Sequence, residues 1–297
     1  MRALHLVPLL LLVAGCGVEF TPRSVVFDTR VLAIEATPLE VGPTDSVTLT
    51  AFRVGPAGGS IESERWSFCP FSIGSSAGYA CAVPECELGV PLTQPPLVTD
   101  YGFSAPLTAT PKDLADQCLA LLAGSGAIPP DVPAAFPDVL EVLFRYTVKA
   151  TGGPERAAVQ RVPWHTKVPP TDPNLAPDIV SVRIGGATWQ VDPDTAVATT
   201  TDPLPTLLPG GTLDVLATVT GAQNYSEGGR DLTEQLVVSF YTTAGRFDFD
   251  WANGPDASVK LKHEETAGAT SAQVWVVVRD LRGGQKVGGP MTVTVAQ

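Results

Sequence analysis

Apolar and polar side chains alternate with a period of two along much of this chain, in short runs. In "SVTLTAF" (46–52), Val47, Leu49 and Ala51 alternate with Ser46, Thr48 and Thr50. That is the pattern of a strand half-buried in an antiparallel sheet. "VLFRYTVKA" (142–150) places Val142, Phe144, Tyr146 and Val148 on one face and Arg145, Thr147 and Lys149 on the other. "RVLAIEA" (30–36), "ERWSF" (64–68) and "AAVQRV" (157–162) predict further strands. A second set comprises "DIVSVRI" (178–184), "LPGGTLDVLATV" (208–219), "QLVVSFYT" (235–242), "ASVKLKHEE" (257–265), "AQVWVVVRD" (272–280) and "PMTVTVA" (290–296).

The two sets are separated by "VPPTDPNLAP" (168–177), whose four prolines favour an extended, semi-rigid spacer. The sets also repeat a theme. Val47 and Val215 occupy like positions, as do Val148 and Val278 ahead of the turns Gly152-Gly153 and Gly283-Gly284. Short strands at an even rhythm, punctuated by Gly and Pro, predict an all-β chain of two tandem antiparallel β-sandwiches, over 28–167 and 178–297.

The first unit holds more chain between its anchors, and the surplus falls near Cys69, Cys81, Cys86 and Cys118. An even number of cysteines in an exported chain reads as two disulfides, with three pairings open. Zinc is disfavoured because no CxxC is present. Trp66 and Phe68 share a strand face, so Cys69 points away from the core with Ser67. The cysteines therefore staple an insertion rather than bridge two sheets. "TPKDLADQCLALLAG" (110–124) predicts a short helix carrying Cys118, with Thr110 as N-cap, Pro111 at the first helical position and Asp113 in the first turn.

At the start of the chain, Arg2 precedes an apolar run from Leu4 to Ala14. It is too short for the roughly 20 residues of a spanning helix and reads as a secretory signal over 1–15. Val13-Ala14-Gly15-Cys16 resembles the lipobox of bacterial lipoproteins. The resemblance implies cleavage before Cys16, a diacylglycerol on its sulfur, acylation of its amino group and a tether over 16–27. Gly17, in place of the Asp that tends to retain such proteins at the inner membrane, implies the outer membrane. Over 28–297 the chain resembles, by pattern, lipoproteins carrying immunoglobulin-like domains.

Charge removes one class of partner. The net charge is −12, and loss of residues 1–15 takes one base and no acid. Such a surface disfavours nucleic acid and leaves membrane attachment to the lipid.

Three constellations bear on chemistry. Gly74-Ser75-Ser76-Ala77-Gly78 matches G-x-S-x-G with His165 downstream. The motif needs a strand–turn–helix elbow on a parallel sheet, and a cysteine-bounded loop in a β-rich unit is the wrong setting. Asp248, Asp250, Asn253 and Asp256 cluster in "RFDFDWANGPD" as weak calcium candidates, but Ala252 and Val259 break the EF-hand pattern. The plainer reading is an alternating strand, "RFDFDW", ending in an Asn-Gly turn. If Val274, Val276 and Val278 face the core, Trp275 and Val277 point outward. They then form a binding surface, as Trp251 does, or lie beneath the neighbouring domain or a long loop, and the covered reading is favoured because large apolar side chains are usually buried.

These readings predict a lipid-anchored envelope protein with a noncatalytic structural or partner-binding role and no cofactor. Its partners are the membrane through the lipid and an envelope protein or glycan. The alternatives are a surface adhesin or carbohydrate-binding module using Trp275 or Trp251 and, less favoured, a serine hydrolase using Ser76.

Overall fold

The period-two strands pair as two sandwiches in the computed structural model, which describes residues 23–56, 58–91, 101–125, 136–227, 229–264 and 268–297. The signal segment and Cys16 lie outside the described residues. The first sandwich contains β1 (Arg30–Thr37), β2 (Val47–Val54), β3 (Ile61–Cys69), β4 (Leu88–Val90), β5 (Gly102–Phe103), β6 (Leu107–Ala109), β7 (Val139–Ala150) and β8 (Glu155–His165). One sheet joins β1 to β2 and β2 to β5 and β6; the other runs β4-β3-β7-β8. The pairings between these strands are antiparallel. This is the immunoglobulin-like A-B-E sheet against a C′-C-F-G sheet. Val47, Leu49 and Ala51 meet Trp66, Phe68, Val142, Phe144, Tyr146 and Val148 between the layers. Each large side chain buried there contributes about 1.5–3 kcal/mol.

The second sandwich contains β9 (Asp178–Ile184), β10 (Ala187–Val191), β11 (Ala198–Thr199), β12 (Thr206–Leu207), β13 (Thr212–Thr220), β14 (Asn224–Glu227), β15 (Arg230–Thr233), β16 (Val237–Thr242), β17 (Arg246–Phe247), β18 (Trp251–Asn253), β19 (Asp256–Lys262), β20 (Ser271–Arg279) and β21 (Gln285–Val295). Its sheets run β11-β10-β9-β13-β19-β17 and β12-β21-β20-β16-β18, with β14 and β15 as a separate hairpin. β12 lies parallel to β21, the pairing of an A′ strand with the G strand. Val274, Val276 and Val278 point into this core with Phe240, Trp189 and Val215. The two Gly-Gly segments form the β7–β8 and β20–β21 turns, as equivalent positions require. Gly152 and Gly283 have φ of 72° and 117°, where a β-carbon is disfavoured.

Both disulfides lie in the insertion: Cys69 bonds Cys81, and Cys86 bonds Cys118 on helix α1 (Pro111–Ser125). With Leu143, Val83 and Leu122 they form a small apolar cluster on the outer face of the β3–β7 sheet. Leu114 and Ala115 of the same helix turn toward the main core.

Four local expectations change. Thr110 does open the helix, but its hydroxyl pairs with Ser46 Oγ at 2.9 Å. "RFDFDW" is not one strand. β17 pairs with β19 in one sheet and β18 with β16 in the other, so residues 248–250 cross between layers and the alternation breaks. β21 begins at Gln285, five residues ahead of the strand predicted over 290–296. The segment 24–26 is not free: Val26 N donates to Thr242 O and Thr242 N to Ser24 O, both at 2.8 Å. The N-terminal segment thus bonds to the second sandwich before β1 enters the first.

Candidate functional site: the sandwich junction and its open aromatic edge

Strand alternation puts Trp275 and Val277 on the outer face of the β16–β20–β21 sheet, and the first sandwich covers them. Leu32, Ala33, Phe52 and Val54 of β1 and β2 pack with Val26, Ala196, Trp275, Val277 and Val287 in one cluster. Trp275 retains 7% of its exposure, so it is not part of an open binding surface. A register shift between Val274 and Val276 brings Gly289 against the indole. A β-carbon on Gly289 would lie 2.8 Å from both Trp275 Cδ1 and Val274 O, and its φ is 134°. Only glycine fits there without displacing the ring.

Polar groups rim this apolar contact. Arg279 donates to Leu32 O (2.7 Å), Gln285 to Ile34 O (2.6 Å) and to Gln160 Oε1 (2.8 Å), and Gln160 to Gly283 O (2.9 Å). Lys286 Nζ pairs with Glu35 at 3.0 Å. Burial holds the Glu35 carboxyl above its ordinary range, against the opposing pull of Lys286.

The spacer is fastened as well. Asn174 is buried, and its Nδ2 donates to Asp280 Oδ2 at 3.0 Å. Asp280 Oδ1 accepts from the backbone N–H groups of Arg282 (2.7 Å) and Gly284 (2.9 Å). Arg282 pairs with Glu234 at 2.7 Å and lies over the Tyr225 ring at 4.3 Å. Glu40 Oε1 stands 3.7 Å from Arg282 and its Oε2 3.0 Å from His165 Nε2. The Asn174 N–H also donates to Glu40 Oε1 at 3.4 Å, so side chains from both sandwiches hold the spacer in place.

Sequence reasoning missed a buried ion pair inside the first sandwich. Arg53 on β2 and Glu64 on β3 have side-chain exposures of 0% and 1%. The Tyr146 hydroxyl joins both, and Arg53 also donates to Phe103 O at 2.8 Å. Burial pushes the Tyr146 phenol up. The signal was available, because Arg53 continues the inward parity of Val47, Leu49 and Ala51. Glu64 likewise shares parity with Trp66 and Phe68.

The same outer face that carries Trp275 continues past Tyr241 to an uncovered edge. Trp251, opposite Ser239, is 57% exposed, and Phe249 is 68% exposed. Two adjoining recesses of about 390 and 450 Å³ share Arg23 and Tyr241. Trp251 and Asp250 line the first; Phe27, Asp28, Arg30 and Arg156 line the second. Trp251 therefore does sit on an open surface, at the point where the described chain begins.

The remaining candidates do not assemble. Ser76 lies on a three-residue 3₁₀ turn (Ser75–Ala77) between β3 and Cys81, without a strand–turn–helix elbow. His165 ends β8 and is engaged by Glu40. Asp248 Oδ1 accepts from the N–H groups of Phe249 (2.9 Å) and Lys260 (2.8 Å), which fixes the crossing between sheets. Asp256 Oδ1 accepts from Thr218 Oγ1 at 3.0 Å. Among the described residues no three His, Cys, Asp or Glu side chains converge as a metal site.

No family model matches the chain, and no curated protein matches it. Among solved structures, the fibronectin(III)-like modules of Clostridium thermocellum CbhA align at 10% identity, covering 89% of this chain and 93% of theirs, with a TM-score of 0.23. The D0-D1 domain of intimin aligns at 13% identity over 89% and 98%, TM-score 0.23. Salmonella alpha-2-macroglobulin aligns at 10% identity over 93% of this chain and 17% of its own, TM-score 0.27. Likenesses of this size carry no argument, and the fold rests on strand order and pairing.

Proposed function

We propose that this is a lipid-anchored protein of the bacterial envelope whose two sandwiches, over 28–167 and 178–297, act noncatalytically as a structural or partner-binding unit. One observation carries the reading. The chain has five cysteines, and the two disulfides consume every one except Cys16, the residue in the lipobox-like sequence. Arg2, the short apolar run and Val13-Ala14-Gly15 precede that cysteine in the order that signal processing uses. Multiple acyl chains at one terminus are enough for stable anchoring, at about 0.8 kcal/mol per buried CH₂. Gly17 favours the outer membrane. The junction supports the noncatalytic part: its polar groups are spent on one another, leaving a spacer and two sandwiches held as one unit.

Metabolic labelling with an alkyne fatty acid tests the anchor. The wild-type chain takes up label and partitions with envelope membranes, and Cys16→Ala loses both. Label that persists in Cys16→Ala overturns the reading. Density separation of inner and outer membranes tests the address, with Gly17→Asp expected to move the protein inward.

A further inference from the structure

Lipid at Cys16 and the open aromatic edge meet within a short length of chain. Six residues separate Cys16 from Arg23. Fully extended, that stretch reaches at most about 25 Å. Arg23 lines both recesses of the aromatic edge, and Ser24 and Val26 are hydrogen-bonded to Thr242 at the end of β16. An anchor at Cys16 therefore brings this edge of the second sandwich toward the bilayer, not the far end of the first.

The edge has the chemistry of a headgroup contact. Trp251 and Phe27, which line the recesses with Tyr241, are 57% and 54% exposed, and Phe249, two residues before Trp251, is 68% exposed. In a chain of net charge −12, the rim of these recesses carries Arg23, Arg30 and Arg156 against Asp28 and Asp250, with Asp28 paired to both Arg30 and Arg156, so the rim keeps an excess of one positive charge. Amphipathic aromatics beside arginines suit the membrane–water interface, where rings lie at headgroup level and guanidinium groups meet phosphates.

We infer that the Trp251–Phe249–Phe27 edge is the face that the anchored protein lays on the phospholipid surface, which rests on the lipid-anchor reading above. The occupant of the edge is the bilayer that holds the acyl chains.

The five tryptophans make the test selective. Trp66, Trp164, Trp189 and Trp275 retain 1%, 3%, 2% and 7% of their exposure, which leaves Trp251 as the indole that reaches solvent. The full-length lipidated protein is reconstituted into vesicles of phosphatidylethanolamine and phosphatidylglycerol, plain or brominated on the acyl carbons nearest the headgroups. Mass spectrometry verifies acylation of Cys16. Tryptophan emission falls in brominated relative to plain vesicles for the wild type, and Trp251→Phe loses that bromine dependence. Acylated protein whose emission is the same in both vesicles overturns the membrane face while leaving the anchor standing. So does an emission change in Trp251 that follows added oligosaccharide rather than bromine. Absence of the acyl adduct overturns the anchor and this orientation with it.

Discussion

Glu35 illustrates how a single side chain at the junction sets a pH response. Its carboxyl is held between two sandwiches, 3.0 Å from Lys286, and burial raises it above its ordinary value of 4.5. The folded chain therefore keeps the proton more tightly than the unfolded chain does. This contribution to stability is present at low pH and is lost as pH rises through the unfolded value and then the folded one. Glu35→Gln removes it, so the melting temperature of the variant gains on the wild type as pH rises above the ordinary carboxylate value of 4.5. Thermal melts as pH is raised check the sign; a variant melting temperature that falls relative to the wild type with rising pH contradicts it. Arg53 makes a different point at the same scale. Its inward parity was legible, yet a charge at a core position is readable only once a partner is known. Glu64 lies on a strand of the opposite sheet.

Elements built on uninterrupted alternation could be read from sequence almost residue by residue, as in β2, β7 and β20. One inward face of two to four apolar side chains fixes register, since a slip of one residue turns all of them outward. Elements shorter than that rhythm were not legible. β17 and β18 are separated by a crossing that Asp248 stabilises, and no local signal tells a bent strand from a straight one. The cysteine insertion was legible as a staple but not in its pairing, because spacing alone leaves three solutions open. With the pairing known, the Cys86–Cys118 bond closes a separation of 32 residues and fastens α1 to the loop ahead of β4. The double variant Cys86→Ser/Cys118→Ser is expected to lose about 3–4 kcal/mol. Hydrogen exchange then rises first in 111–125, while β7 stays protected, because without the bond the helix is held through the short contacts of Leu114, Ala115 and Leu122. Simultaneous exposure of helix and sheet would contradict a local role.

For the whole molecule, the decisive contact is one that strand alternation pointed to without naming its cover. An outward Trp275 on a valine-rich strand is either a binding surface or an internal joint, and only the path of β1 and β2 decides between them. Trp275→Ala removes the centre of that joint at a cost of about 3–5 kcal/mol. The wild type is expected to melt in one calorimetric transition and the variant in two, as each sandwich unfolds by itself. One unshifted transition in the variant would mean that the polar rim suffices. The hydrogen bonds between residues 24–26 and Thr242 add a mechanical consequence. A pull on the N-terminus reaches the second sandwich through a parallel bridge at Val25 before it reaches β1. A load applied at Arg23 is then borne first by the second sandwich, in shear along the Val25–Thr242 bridge, instead of peeling the first sandwich from its leading strand.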